Sequence, residues 1–156
     1  MGEKIVSIRE NQKDIVDLLF RLLFSLIFLA LGAEHIFSDQ LIQKLMPEWM
    51  PAPRLISILS GFVLLAGGGM IALGFRLRLA ATTLIVFLFL VTILVHGADL
   101  LGKPEFVDQD HAWLWTIFQR SNYAKNICLI GVCLRLLYYT PGRWSLEAKL
   151  LGKSRV

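Results

Sequence analysis

Residues 55–75 read LISILSGFVLLAGGGMIALGF, a run with no charged residue. At 1.5 Å rise per residue, about twenty residues cross a hydrocarbon core of about 30 Å, so this segment is long enough to span a bilayer as a helix. Lipid admits only helices and closed barrels, because every backbone group must find its partner inside the protein. The run leads through Gly74-Phe-Arg76-Leu-Arg78 into a second uncharged span at 79–98. So short a connection makes the two spans antiparallel neighbours.

Working outward, residues 15–37 form a third span, with Asp17 and Arg21 near its start, Glu34 and His35 near its end and an apolar run at 22–33. A fourth at 122–140 is the weakest. Its Lys125 and Arg135 stand ten residues apart, about 15 Å along a helix, so they must snorkel to opposite interfaces or be satisfied by other helices. The expectation is an all-α, four-helix transmembrane bundle forming a single domain over 1–156. A hydrophobic fraction of 56% and a mean hydropathy of +0.63 fit that class and exclude a disordered or ordinary soluble chain.

The net charge of +4 carries no nucleic-acid signal, since the basic residues form no stripe or motif. Lys4, Arg9 and Lys13 precede the first span, Arg76 and Arg78 join the second and third, and Arg143, Lys149, Lys153 and Arg155 follow the fourth. The two longer loops hold only Lys44, Arg54, Lys103 and Arg120, with Asp39, Glu48, Asp99, Glu105, Asp108 and Asp110. The positive-inside bias then places both termini in the cytoplasm of a plasma (inner) membrane protein. A cleaved signal ending near Ala30-Leu-Gly32 is disfavoured by the segment's length, its late apolar run and Arg21.

Ser57, Gly61 and Gly68 recur at intervals of four and seven in the 55–75 span, the spacing of a surface on which another helix packs closely. Nothing around them resembles a nucleotide motif. Loop 39–53, with Leu41, Ile42, Leu45, Met46 and Trp49 and with Pro47, Pro51 and Pro53 around the turn region, reads as an interfacial amphipathic helix. Loop 99–121 carries Trp113, Trp115 and Phe118, suited to an aromatic belt. Anchoring and a lid over a site would use the same residues in both loops.

Thr92, His96 and Asp99 fall at i, i+4 and i+7, and Asn122, Lys125 and Asn126 at i, i+3 and i+4, so each set shares one helix face. With Glu34 and His35, three helices bring polar groups to one level, and the expectation is that they converge, with Lys125 neutralised by Asp99 or Glu34. Ionisable groups at membrane depth are rare enough to mark a functional site. A structural salt-bridge cap is the competing explanation, and each member alone is compatible with interfacial decoration.

The order Gly32-Ala-Glu-His35, the proline-rich loop, the glycines leading to Leu73-Gly74-Phe-Arg76, then His96 and Gln119-Arg-Ser-Asn-Tyr-Ala-Lys125-Asn126 before an apolar helix, resembles the DoxX family of small four-helix membrane proteins. The 119–126 segment carries the resemblance most specifically. It implies the family's fold and points to His35, Gln119, Asn122, Lys125 and Asn126 as family-like positions. Relatives of this type look like subunits of quinone-linked sulfur oxidation or of membrane redox and detoxification complexes, and such a likeness supports fold more strongly than function.

Cys128 and Cys133, five apart on one helix, would put their Cα atoms roughly 8 to 9 Å apart, beyond disulfide reach, and read as small core residues. His35 and His96 could supply two imidazoles to a haem, but no third metal ligand or haem-attachment motif accompanies them. His111, among Asp108 and Asp110, reads as a surface residue. The candidate ligand-binding set is therefore Glu34, His35, His96, Asp99, Gln119, Asn122, Lys125 and Asn126, with a quinone or lipid as ligand and no metal. The alternative is a non-catalytic assembly subunit, contacting membrane lipids and a protein partner or a second copy of itself, with no nucleic-acid partner.

Overall fold

The computed structural model describes residues 2–44, 46–47, 49–97 and 107–152, all-helical with turns and without strands among them. Helix α1 is Gly2–Phe37, α2 is Asp39–Lys44, α3 is Pro53–Leu73, and α4 is Leu77–Val91, continued by a π turn at Thr92–Gly97. Helix α5 is Ala112–Leu136 and α6 is Leu146–Leu150. Among the described residues, three helical stretches are long and apolar enough to cross a membrane: Ile8–Phe37, Pro53–Leu73 and Leu77–Gly97.

The fourth helix departs from its sequence-based bounds of 122–140. It starts at Ala112, because the Asp108 carboxylate accepts the His111 backbone N–H (3.0 Å) and turns the chain into the helix. The Trp113, Trp115 and Phe118 expected in a loop are its first turns. It stops at Leu136, shortly before Pro141, since proline cannot continue a helix and biases the residue before it toward extended backbone. Arg120, Lys125 and Arg135 all lie on it, so it is the polar member of the set.

Helix α3 begins with Pro53 and ends on Gly74 at φ 62, whose N–H bonds to Ile71 O while Phe75 N–H bonds to Met70 O. That left-handed stop favours glycine and permits the tight α3–α4 turn. Closest packing runs α1 on α3, α3 on α4 and α4 on α5. The small residues of α3 face two ways. A Cβ on Gly61 or Gly68 would strike α1 at Ile36 or Phe28, one on Gly67 would strike Leu84 of α4, and Gly69 faces open space. The expected packing stripe is therefore the α1–α3 seam.

The core gathers Phe28, Leu64, Ile71, Leu84, Leu88, Cys133 and Leu136, with Phe20 stacked on Phe24 and Phe24 edge-on to Phe28 along one face of α1. Cys133 is buried as expected, but Cys128 is exposed on another face of α5. Among the described residues of the first long loop, the short α2 is the helical part, packed on α1 and α3, and Leu45 and Glu48 lie outside the described residues.

Candidate functional site

Polar side chains collect at both ends of the helices. The end carrying the α3–α4 turn is called the turn end, and the opposite one the histidine end.

At the histidine end, His35 and Ser57 join α1 to α3. Ser57 Oγ donates to His35 O (3.1 Å) and lies 3.1 Å from His35 Nδ1. With its one proton given to the carbonyl, Ser57 accepts from Nδ1–H, leaving Nε2 with the lone pair of the neutral ring. His96, in the π turn, pairs through Nδ1 with Gln119 Oε1 of α5 at 2.6 Å, which again leaves Nε2 for another partner. Lys125 Nζ donates to Asn122 Oδ1 (2.8 Å), and Asn122 Nδ2 donates to Phe118 O (3.1 Å). Lys125 is near enough to both Glu34 and His96 for their charges to interact, which puts residues from α1, the π turn and α5 in one neighbourhood.

Two expectations about this end change. Lys125 is held by an amide oxygen, and no carboxylate among the described residues lies within ion-pair distance of it. The α-helical register assumed for Thr92, His96 and Asp99 breaks at Thr92, where i→i+5 bonding begins. Asp99 itself lies outside the described residues. Glu34 is exposed, His35, His96, Asn122 and Lys125 are half-buried, and Gln119 and Asn126 are buried. Among the described residues no three of His, Cys, Asp and Glu are grouped to hold a metal. Neither principal cavity is lined by His35, His96 or Lys125.

The turn end holds a second cluster that the sequence reading did not assemble. Arg21, fully buried, donates through Nε to Asp17 Oδ2 (3.0 Å), through Nη1 to Ala72 O (2.8 Å) and through Nη2 to Trp144 O (3.1 Å). Asp17 also accepts from Tyr139 Oη and from Gly142 N–H (3.1 Å). One turn away, Asp14 accepts from Arg143 N–H (3.1 Å) and Nε (2.5 Å), while Arg143 Nη2 donates to Asn11 Oδ1 (2.8 Å). Glu147 closes the knot, accepting from Arg76 N–H (3.0 Å). A cavity of about 570 Å³ lies beside it, lined by Glu10, Asp14, Tyr139 and Arg143 among others.

A signal for this cluster was present in the sequence. Asp14, Asp17, Arg21, Ser25, Phe28 and Gly32 are spaced by three and four, and all are buried, so they form one inward stripe whose lower half is polar. Taken one at a time, Asp17 and Arg21 are simply charges near the start of a span.

Long apolar helices joined by a tight turn, with ionisable groups buried between them, define a multi-pass helical membrane protein. A family model described as DoxX matches residues 16–97, just over half of the chain, and the chain belongs to that family. The match runs from α1 through the π turn and includes His35 and His96, but it ends before the 119–126 segment that carried the resemblance most specifically. No curated protein and no solved structure matches.

Proposed function

We propose that this DoxX-family protein is the ligand-binding subunit of a quinone-linked redox system, with the ligand's head group held at the histidine end by His35, His96 and Lys125. Gln119, Asn122 and Asn126 support them, and Glu34 sits at the rim. One observation carries the reading: at the histidine end His35, His96 and Lys125 keep unspent hydrogen-bonding capacity, whereas at the turn end the buried Arg21 and Asp17 each make three hydrogen bonds to the protein. Each imidazole is anchored through Nδ1 with Nε2 left over, and Lys125 has three N–H donors of which Asn122 takes one. An ammonium and two imidazoles suit carbonyl oxygens, and imidazole exchanges protons near neutral pH. The chemistry a quinone supplies when bound is reversible uptake of electrons with protons.

In this reading α5 completes a four-helix bundle and α2 lies at the interface. The turn end, with Arg9, Lys13, Arg76, Arg78, Arg143 and Lys149, faces the cytoplasm of a plasma (inner) membrane. In a Cys128→Ser, Cys133→Ser background, an impermeant thiol reagent should label Asp110→Cys and not Arg9→Cys in intact cells. The reverse pattern defeats the orientation.

The ligand is tested by extracting the full chain purified in mild detergent. Co-purified quinone that is lost in His96→Leu and Lys125→Met, with folding intact, supports the reading. A stoichiometric protein partner without quinone or lipid supports the assembly-subunit alternative.

A further inference from the structure

Thr92 opens the π turn and is 1% exposed, yet its hydroxyl has no hydrogen-bond partner among the described residues. Two other helical threonines behave differently. Thr82 Oγ1 donates to Arg78 O (2.9 Å) and Thr116 Oγ1 to Ala112 O (3.0 Å), each using the carbonyl one turn back. Thr92 is the most buried of the three and forgoes that bond. A dry, orphaned hydroxyl is costly, and π turns occur often at functional sites.

The π turn packs against α5, where Trp115, Gln119 and Asn126 are buried. His96 follows Thr92 by four positions and is fixed to Gln119. In a turn closed by i→i+5 bonds, four positions are less than one full turn, so the stretch packed against α5 offers two oxygen-directed groups close together.

We propose that the Thr92 hydroxyl is the inner contact of the ligand held at the histidine end, and that this ligand is a ring with oxygens at two opposite ends, one met by Thr92 and the other by His96 or Lys125. This rests on the ligand-binding reading above and narrows it. A ring dione and its reduced diol both fit, because a hydroxyl donates to a carbonyl and accepts from another hydroxyl. A sterol with a single hydroxyl would leave one of the two groups unmet.

The test titrates a short-chain benzoquinone into the full chain in nanodiscs. Thr92→Val, which keeps the shape and removes the hydroxyl, should weaken binding about tenfold, while Thr92→Ser stays within about threefold of the parent. Ligand-free Thr92→Val should be at least as heat-stable as the parent, since it removes a buried unpaired group. If Thr92→Val does not fold, Thr92→Cys, with its weak donor, carries the same comparison. Unchanged affinity in Thr92→Val, with the parent binding, overturns the Thr92 contact and leaves the ligand-binding reading standing. No binding by the parent overturns both.

Discussion

The two ends of the helices are built from the same residue types to opposite effect. At the turn end, Arg21 and Asp17 are 0% and 6% exposed, and each makes three hydrogen bonds, to Ala72, Trp144, Tyr139, Gly142 and each other. At the histidine end, His35, His96 and Lys125 are half-buried and each makes a single side-chain hydrogen bond. A saturated buried network rigidifies and holds elements together, while a partly satisfied one has capacity for something else. The comparison separates a clasp from a candidate binding site, a distinction that counting charges per helix does not make.

The clasp ties the chain's two ends into one structure. Arg21 reaches the last turn of α3 and the segment after α5, so α1 is locked to both. Replacing Arg21 by Met leaves Asp17 buried without its counter-charge and should cost about 3–5 kcal/mol in reversible unfolding in mixed SDS and maltoside micelles. Arg21→Lys should rescue little, because a point ammonium cannot serve three acceptors set around a planar fork. Retained stability in Arg21→Met would erase the contrast between the ends.

A smaller loss is expected at Gly142, where an added Cβ would lie 2.6 Å from Asp14 Oδ1 and 3.0 Å from Asp17 Oδ2. Both carboxylates are pinned by other bonds, so Gly142→Ala should destabilise by about 1–3 kcal/mol. Gly131 faces open space on α5, and Gly131→Ala should leave stability unchanged or slightly raised. Equal effects at the two positions would show that the clasp tolerates movement.

Tyr139→Phe removes one hydrogen bond to a charged group and should cost about 1.5–3 kcal/mol, at the low end because Asp17 keeps two other donors. A double-mutant cycle with Asp17→Asn should show coupling, and strict additivity would place the two side chains in separate networks.

The least effect on stability belongs to the histidine end. Lys125→Met should cost less than about 1 kcal/mol, since the ammonium is half-buried and bonded to one amide, while its effect on ligand retention is large. A loss as great as that of Arg21→Met would make this end a second clasp and remove the argument for a site.

Much of the architecture was legible in the sequence. The spans of α1, α3 and α4, the α3–α4 hairpin and the packing role of Ser57, Gly61 and Gly68 all follow from local patterns that lipid enforces. The histidine-end grouping was partly legible, because Glu34, His35, His96 and Lys125 sit at helix positions whose depth can be counted from the span ends. The start of α5 was not, since its first turns carry the tryptophans of an interfacial belt and the Asp108 side chain that turns the chain into the helix reads equally well as a loop acid.

The sequence alone determined what must be buried and how long each helix must be, because hydropathy and helical period act over neighbouring residues. Tertiary structure decided which buried charges are satisfied. Arg21 finds Ala72 and Trp144, 51 and 123 positions away, and Asp14 finds Arg143 at a separation of 129, partners that exist only once the helices have closed on one another. The π turn at Thr92–Gly97 belongs to the same category. Its shifted register sets His96 against Gln119 of α5, and only the packed structure shows it.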